Sequence, residues 1–93
     1  MPATVRIPQP LRGLTGDLPT VDGAVGPLSA CIEALERSYP GMRERLLDEE
    51  GELRRFVNVY INGEDVRFAE GLATAVNEGD DVSIVPAVAG GFS

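Results

Sequence analysis

Residues 54–66 read RRFVNVYINGEDV, and this stretch decides the fold. At positions 57–61, apolar residues alternate with polar or aromatic ones, which is the pattern of a strand with one buried face. Asn62 and Gly63 follow, and this pair is typical of a two-residue hairpin turn because both residues tolerate a positive φ angle. The stretch therefore predicts a strand, a tight turn and a short partner strand over residues 64–68.

Further strands are expected near both ends of the chain. Residues 4–7 alternate apolar and polar side chains, and so do residues 82–86, which again indicates half-buried strands. The segment 17–23 is predicted as a weaker second strand that forms a hairpin with the first, with Leu18 and Val21 as its inward residues. The chain thus offers strands at its beginning, middle and end.

One amphipathic helix is expected between the early and the central strands. Pro27 suits the first helical position, where its missing N–H would have no partner in any case, and Pro40-Gly41 ends the helix. Glu33 and Arg37 lie four residues apart on the polar face and are expected to pair. The apolar positions at helical spacing are Leu28, Cys31, Ile32 and Leu35.

The order of these elements predicts an α+β domain. A single amphipathic helix needs one apolar sheet face to cover, and the compact solution places the two terminal strands side by side and parallel at the centre of the sheet. We therefore predict a β-grasp, a mixed sheet of four to five strands with one main helix packed on one face. The domain is expected to span residues 1–89, with a flexible tail over residues 90–93.

Composition argues against several classes of function. Fifteen acidic residues against eight basic ones give a net charge of −7, which argues against nucleic acid as a partner and favours a partner with a basic face. The chain contains no histidine, the commonest general base and a frequent metal ligand. We therefore expect neither a catalytic residue nor a metal site, and we interpret Cys31 as a small buried core residue.

The sequence also predicts where the protein works. No apolar run approaches the roughly 20 residues that a membrane-spanning helix needs. The first ten residues, MPATVRIPQP, lack the apolar segment of a secretory signal. These two features predict a cytoplasmic protein that does not act at a membrane.

The last eight residues, 86–93, read PAVAGGFS. A strand that runs into Ala-Gly-Gly carries no large side chain over its last positions, so it can enter a cleft that is too narrow for a Cβ atom. A carboxylate on the last glycine would then reach a distant active site from a rigid domain. From the residues alone, a frayed end that is rich in glycine remains an alternative.

A family resemblance favours the functional tail. Residues 54–91 resemble the ubiquitin-like sulfur-carrier family, the ThiS/MoaD group, and within it the CysO-type carriers of cysteine biosynthesis. The most specific segments are FVNVYING, DVRF, GLAT and VPAVAGG. The predicted strand order also matches, so the resemblance covers the whole domain and implies a ubiquitin-like β-grasp.

The resemblance implies a mechanism in which partner enzymes do the chemistry. A ubiquitin-activating-like adenylyltransferase and sulfurtransferase would use ATP to adenylate the carboxylate of Gly91, with Gly90 as its narrow neighbour. A sulfur donor would convert the acyl-adenylate to a thiocarboxylate. In the cysteine pathway the sulfur-accepting enzyme is a cysteine synthase that uses pyridoxal phosphate and holds O-phosphoserine. ATP and pyridoxal phosphate would belong to these partners, and this chain would bind no cofactor.

The chain departs from the simplest form of the family at its end. Phe92 and Ser93 follow the glycines, so Gly91 has no free carboxylate as written. The resemblance implies a precursor with a processing site at Gly91, Phe92 and Ser93, from which a zinc metalloprotease of the JAMM type removes the last two residues. If both residues were retained, the chain could not carry sulfur.

Several alternatives stay open on the sequence. The sulfur could go to cysteine or to a thio-containing secondary metabolite. Molybdopterin fits less well, because the carrier subunit of a molybdopterin synthase works with its own carboxyl terminus inserted in the large subunit. The chain could also be a protein modifier conjugated through Gly91, or an interaction module with an inert tail. The absence of lysine would forbid lysine-linked chains of the protein on itself. A carrier that must insert its tail into several enzymes is expected to be a monomer.

A partner-binding face is expected on the sheet surface opposite the helix. Aromatic residues are enriched in interface cores, and the alternative for each is that it packs under the segment 71–76. An alternative for the arginines near the central strand, Arg54, Arg55 and Arg67, is that they are only solvated neighbours of the strand. The candidate contact residues are Phe56, Tyr60, Phe68, Val88 and Ala89.

Overall fold

The computed structural model describes residues 2–86 of the chain. Seven strands and two α-helices are joined by three short 3₁₀ helices within that range. The strands are β1 (Ala3–Arg6), β2 (Thr20–Gly23), β3 (Gly26–Pro27), β4 (Val57–Ile61), β5 (Glu64–Asp65), β6 (Ala75–Val76) and β7 (Asp81–Pro86). The helices are α1 (Leu28–Ser38) and α2 (Met42–Leu46), and the 3₁₀ helices span Gln9–Thr15, Val66–Phe68 and Gly71–Ala73.

Five strands form one mixed sheet in the order β2-β1-β7-β4-β5. The central pair, β1 and β7, runs parallel with Val5 opposite Val82, although the two strands come from opposite ends of the chain. The outer neighbours β2 and β4 pair antiparallel with this centre. The predicted β-grasp, with its two terminal strands parallel at the centre, is confirmed.

The core lies between α1 and one face of this sheet. The four predicted apolar positions of the helix, among them Cys31 and Ile32, are each at most 3% exposed. They meet the inward residues of the strands, such as Val59 and Val82, which are each 1% exposed. Burial raises the pKa of the Cys31 thiol above its ordinary value, which fits the interpretation of Cys31 as a core residue.

The predicted inward position of Leu18 was wrong. Its side chain is 49% exposed, whereas Val21 is buried as expected. The chain turns at Gly16 and Asp17, both of which have a positive φ angle. The Thr15 hydroxyl donates a hydrogen bond to the carbonyl of Leu18 at 3.0 Å. These local bonds hold residues 16–19 as a turn, so β2 begins only at residue 20.

Two predictions for the main helix also need correction. The residues Gly26–Pro27 form the short strand β3 against β6, so α1 starts one residue after Pro27. The Glu33 carboxylate accepts a hydrogen bond from Nε of Arg43 at 2.6 Å and does not pair with Arg37 as predicted. The reason is that Gly41, with φ 100°, turns the chain and brings α2 back beside α1.

The hairpin after β4 has the predicted turn but a shorter returning strand. Asn62 and Gly63 adopt φ angles of 52° and 86°, as the two-residue turn requires. The strand was expected over residues 64–68, yet β5 ends at Asp65. The Asp65 carboxylate accepts a hydrogen bond from the N–H of Arg67 at 2.8 Å, and this capping bond starts a 3₁₀ helix instead.

Gly23 at the end of β2 lies against side chains of both the sheet and the helix. A Cβ atom at this position would lie 2.7 Å from Cγ2 of Val5 and 3.2 Å from Sγ of Cys31. We expect Gly23→Ala to lower the free energy of unfolding by about 1–3 kcal/mol, because overpacking forces stiff core side chains to move. Urea unfolding followed by circular dichroism measures this loss.

Gly13 provides the matched control for that substitution. A Cβ atom there would meet nothing within 4 Å, so Gly13→Ala should leave the free energy of unfolding within about 0.5 kcal/mol or raise it slightly. Equal urea midpoints for the two variants would contradict this prediction, because they would show that the side chains around Gly23 can make room for a Cβ atom without loss of stability.

Hydrogen bonds among Asn62, Asn77, Asp80 and Asp81 join the loops at the end of the sheet remote from Pro86, and we call this group the clamp. Nδ2 of Asn62 donates to Oδ1 of Asp80 at 3.0 Å, and the N–H of Asn77 donates to Oδ2 of Asp80 at 2.9 Å. Oδ1 of Asn62 in turn accepts a hydrogen bond from the N–H of Asp81 at 2.9 Å. The bond from Asn62, followed by that from Asn77, holds the pKa of the Asp80 carboxyl below its ordinary value.

This clamp predicts a pH dependence of stability. The folded state favours the Asp80 carboxylate, so its stabilising contribution is present above the unfolded pKa of about 3.9 and is lost as the pH falls through the lower folded value. We expect Asp80→Asn and Asn62→Ala each to reduce stability at pH 7 and to lose less than the wild type on acidification. Urea midpoints at pH 7 and pH 3 test this, and wild-type pH dependence in both variants would contradict it.

Candidate functional site

The candidate site is the surface around the end of β7, from which the chain continues toward residue 87. Pro86 lies opposite Val57, and Val85 lies opposite Asn58, in the antiparallel pairing of β4 with β7. These residues form the root of the tail in the middle of the sheet. The predicted contact residues Val88 and Ala89, and the predicted tail of Gly90, Gly91, Phe92 and Ser93, lie outside the described residues.

Two of the three predicted contact aromatics are strongly exposed. Phe56 immediately precedes β4 and is 61% exposed, and Phe68 ends the 3₁₀ helix after β5 and is 87% exposed. Neither is packed away under the segment 71–76. Tyr60 is half-buried and lies opposite Asp65 on the sheet face that α1 leaves open. The structure thus brings Phe56 close to the root, with Tyr60 further along β4.

Three arginines lie beside the same root, and we call Arg54, Arg55 and Arg67 the arginine cluster. Nη1 of Arg67 donates to Oδ1 of Asn58 at 2.6 Å, and its Nη2 donates to the carbonyl of Arg54 at 2.7 Å. The guanidinium of Arg55 lies over the ring of Phe56, 5.3 Å from its centroid. Such a cation–π contact holds the charge beside the aromatic surface. These residues are fixed neighbours of the root, and adjacency in the sequence alone did not reveal this.

A cavity of about 340 Å³ opens beside the arginine cluster. Its floor is apolar because Leu53 packs against the core and Val57 is buried. Asp48 adds a carboxylate to the rim, where it accepts hydrogen bonds from the N–H groups of Glu50 and Glu52 at 2.9 and 3.0 Å. The lining residues are Asp48, Leu53, Arg54, Arg55, Phe56 and Val57.

Residues 2–86 show neither a metal-binding cluster nor a membrane-spanning helix. In that range no group of three or more Cys, Asp or Glu side chains is placed to hold a metal ion. No described helix is both long enough and apolar enough to span a bilayer. The described residues do present an exposed aromatic and cationic surface at the root of the tail.

The family of this chain follows from its match along nearly the whole domain and the tail. Residues 5–91 match the model of the ThiS family. This chain belongs to the ThiS family. The resemblance inferred from the sequence is therefore confirmed, and so is the prediction that the chain is not itself an enzyme, because its homologues are ubiquitin-like sulfur carrier proteins. The matched range ends at Gly91, which leaves Phe92 and Ser93 outside it.

Relatives with assigned names agree with this assignment. The chain is 53% identical over 93 residues to the sulfur carrier protein CysO of Mycobacterium tuberculosis, covering 98% of this chain and 100% of that protein. It is 44% identical over 70 residues to small archaeal modifier protein 3 of Haloferax volcanii, covering 75% of this chain and 72% of that protein.

A solved structure confirms the ubiquitin-like β-grasp. The crystal structure of the Amycolatopsis orientalis BexX/CysO complex contains a chain that superposes with a TM-score of 0.90 at 44% identity. The alignment covers 95% of this chain and 98% of that chain.

Proposed function

We propose that this chain carries sulfur as a thiocarboxylate on Gly91 and delivers it for cysteine biosynthesis. One observation carries the proposal: the ThiS-family match extends past the last described residue, Pro86, and ends at Gly91. The same residue is the second of two glycines that follow a strand at the centre of the sheet. The identity to a CysO protein over its full length supports cysteine as the destination.

The geometry of the root suits delivery of a reactive end into a partner. Gly91 is the fifth residue after Pro86, and five extended residues span at most about 17 Å. The domain can therefore dock on a partner surface while Gly91 reaches a reaction centre inside it. Because β7 is held between β1 and β4, the start of this tether is fixed, so docking of the domain sets where Gly91 can go.

The chemistry explains why the partners supply the cofactors. A carboxylate is a poor acyl donor, so Gly91 must first be adenylated, with ATP bound by the activating enzyme. A sulfur donor then displaces AMP and leaves the thiocarboxylate. The acceptor enzyme, with its pyridoxal phosphate, would take the sulfur, and zinc would belong to the JAMM-type protease that removes Phe92 and Ser93. This chain contributes the carboxyl group and the docking surface, and we propose that it does so as a monomer.

The docking surface proposed for these partners is the one around the root. Phe56 and Phe68 offer apolar area, and the arginine cluster offers positive charge on a protein whose net charge is −7. A partner surface with apolar pockets and an acidic rim would complement it, since complementary charge raises the rate of encounter and fixes orientation. Tyr60, Val88 and Ala89 complete the proposed contact set.

A second function is favoured by one comparison. The likeness to a small archaeal modifier protein supports conjugation of Gly91 to lysine side chains of other proteins. Both functions share adenylation and differ in the nucleophile that follows. Isopeptide-linked remnants of this tail in a digest of the cellular proteome would support the modifier, and their absence together with a thiocarboxylate would support the carrier.

The test compares the full-length chain with a chain that ends at Gly91. Each is incubated with the activating enzyme from the same cells, ATP and a sulfur donor, and its intact mass is then measured. We expect the chain ending at Gly91 to gain the mass difference of one oxygen exchanged for one sulfur, and the full-length chain to stay unchanged until the protease is added. A thiocarboxylate on neither form, with an activating enzyme shown to be active on its own carrier, would overturn the proposal.

The destination is tested with the thiocarboxylate in hand. A cysteine synthase that uses pyridoxal phosphate and is supplied with O-phosphoserine should convert the thiocarboxylate to a cysteine adduct. This adduct is seen as a further mass shift on the chain. Transfer only to an enzyme that makes a thio-containing secondary metabolite, or to a molybdopterin synthase, would move the carrier to that pathway. The carrier function itself would stand in either case.

A further inference from the structure

All eight basic residues of the chain are arginine, and the three of the arginine cluster lie at the root of the tail. The choice of cation matters there because the two basic side chains differ in chemistry. A guanidinium keeps its proton in proteins, whereas a lysine ammonium can lose its proton and become a nucleophilic amine. Arginine therefore supplies positive charge to this surface without an amine.

The cluster lies within reach of Gly91. Val57 faces Pro86 in the sheet, at a Cα separation of roughly 5 Å, and Arg55 is two residues from Val57. Arg67 is bonded to Asn58 beside the root. A tail of five residues, at most about 17 Å long, allows the Gly91 carbonyl to return to these positions. A group on so short a tether reaches an effective concentration on the order of millimolar.

The start of β1 lies far from this surface. Thr4 stands opposite Asp81, and the carbonyl of Pro2 accepts a hydrogen bond from the N–H of Gly79 at 3.3 Å. These contacts place the start of β1 at the opposite end of β7 from Pro86, about 17–20 Å away by the rise of a strand. No amine side chain occurs in the described domain, so none lies close to the root.

We propose that arginine in place of lysine at the root keeps the activated Gly91 from acylating its own domain, an inference that rests on the proposed function. In the reaction avoided, an amine nitrogen would attack the carbonyl carbon of the Gly91 adenylate. A C–N bond would form, the C–O bond to AMP would break, AMP would leave with the electron pair, and the nitrogen would release its proton to solvent. The internal amide formed in this way could not accept sulfur.

The test needs no partner enzyme. A chain that ends at Gly91 as an aryl thioester serves as the probe for the activated carbonyl, and it retains every described residue. Attack by an amine would form the internal amide and expel the aryl thiol, which lowers the intact mass by that of the thiol. Arg55→Lys is the test variant, because Arg55 is exposed and its guanidinium contacts the ring of Phe56, so the substitution leaves the core untouched.

Asp22→Lys is the control for distance. Asp22 is exposed and stands opposite Thr4, which puts it two strands across and five residues along from Pro86, about 19 Å away. It adds the same amine to the same fold at a site much farther from Pro86 than Arg55 is, so far fewer arrangements of the tail bring Gly91 to it.

At pH 9, where about 4% of lysine side chains are neutral, we expect Arg55→Lys to form the internal amide at least tenfold faster than either the wild type or Asp22→Lys. Digestion should then show Gly91 joined to the new lysine. Equal rates in all three proteins, or equal rates in the two lysine variants, would overturn the inference. Because no activating enzyme takes part, failure of the proposed function would instead appear as absence of adenylation in the partner assay.

Discussion

A chain shortened to end at Gly90 is expected to be adenylated at least about a hundredfold more slowly than a chain that ends at Gly91. The domain and its docking surface are the same in both, and β7 fixes the start of the tail between two strands. Loss of one residue draws the carboxylate back by about 3.5 Å. A displacement of even 1 Å from the reacting geometry can cost about a hundredfold in rate.

The division of this effect between kcat and KM identifies its cause. Release of pyrophosphate measures the adenylation rate over a range of carrier concentrations. Because the contacts made by the domain are unchanged, we expect kcat to fall while KM stays within about threefold, the pattern for an interaction made only in the transition state. The matched control is Gly13→Ala in the chain that ends at Gly91, which keeps the length of the tail and adds a Cβ atom that meets nothing within 4 Å, so it should keep both kcat and KM. A rise in KM alone would show that the last glycine binds the partner without positioning the reaction.

The fold could be predicted from the sequence where a local pattern and a global requirement agreed. The strand β4 and its hairpin turn follow from alternation and the Asn62-Gly63 pair. The parallel pairing of β1 with β7 followed from the need of one helix to cover one sheet face. Errors arose where a side chain bonds to the backbone. Asp65 ends β5 early, and Thr15 holds the turn that leaves Leu18 exposed.

The candidate site divides in the same way. The two glycines at residues 90–91 were identified by resemblance, and the family match now extends to the second of them. From the sequence alone, the three arginines of the cluster could equally be solvated neighbours of the strand, because Arg67 is distant from Arg54 in the sequence. Only the 3₁₀ helix after β5 brings the Arg67 guanidinium back to the Arg54 carbonyl, at 2.7 Å. This contact between Arg67 and Arg54 depends on the folded path of the chain, which the alternation and spacing of residues do not reveal.

The double substitution Phe56→Ala/Phe68→Ala is expected to raise the KM of the activating enzyme for the carrier at least about 30-fold and to leave kcat unchanged. Truncating a central aromatic anchor typically costs a binding partner about 2 kcal/mol, which corresponds to that factor. The two rings are 61% and 87% exposed, so the free energy of unfolding should change by no more than about 0.5 kcal/mol for each. Steady-state kinetics and urea unfolding of the same protein separate the two effects.

Val25→Ala controls for the loss of an exposed apolar side chain. Val25 is 51% exposed and follows β2 at the end of the sheet remote from Pro86, where Gly23 pairs with Ala3. This variant should leave both KM and kcat at wild-type values. If the two aromatic substitutions also left KM unchanged, the partner would recognise another face, and the tail would have to reach its reaction centre from there. If kcat fell instead, the aromatic side chains would help to position the tail after docking. The root would then contribute, together with the length of the tail, to placing the Gly91 carboxylate for adenylation.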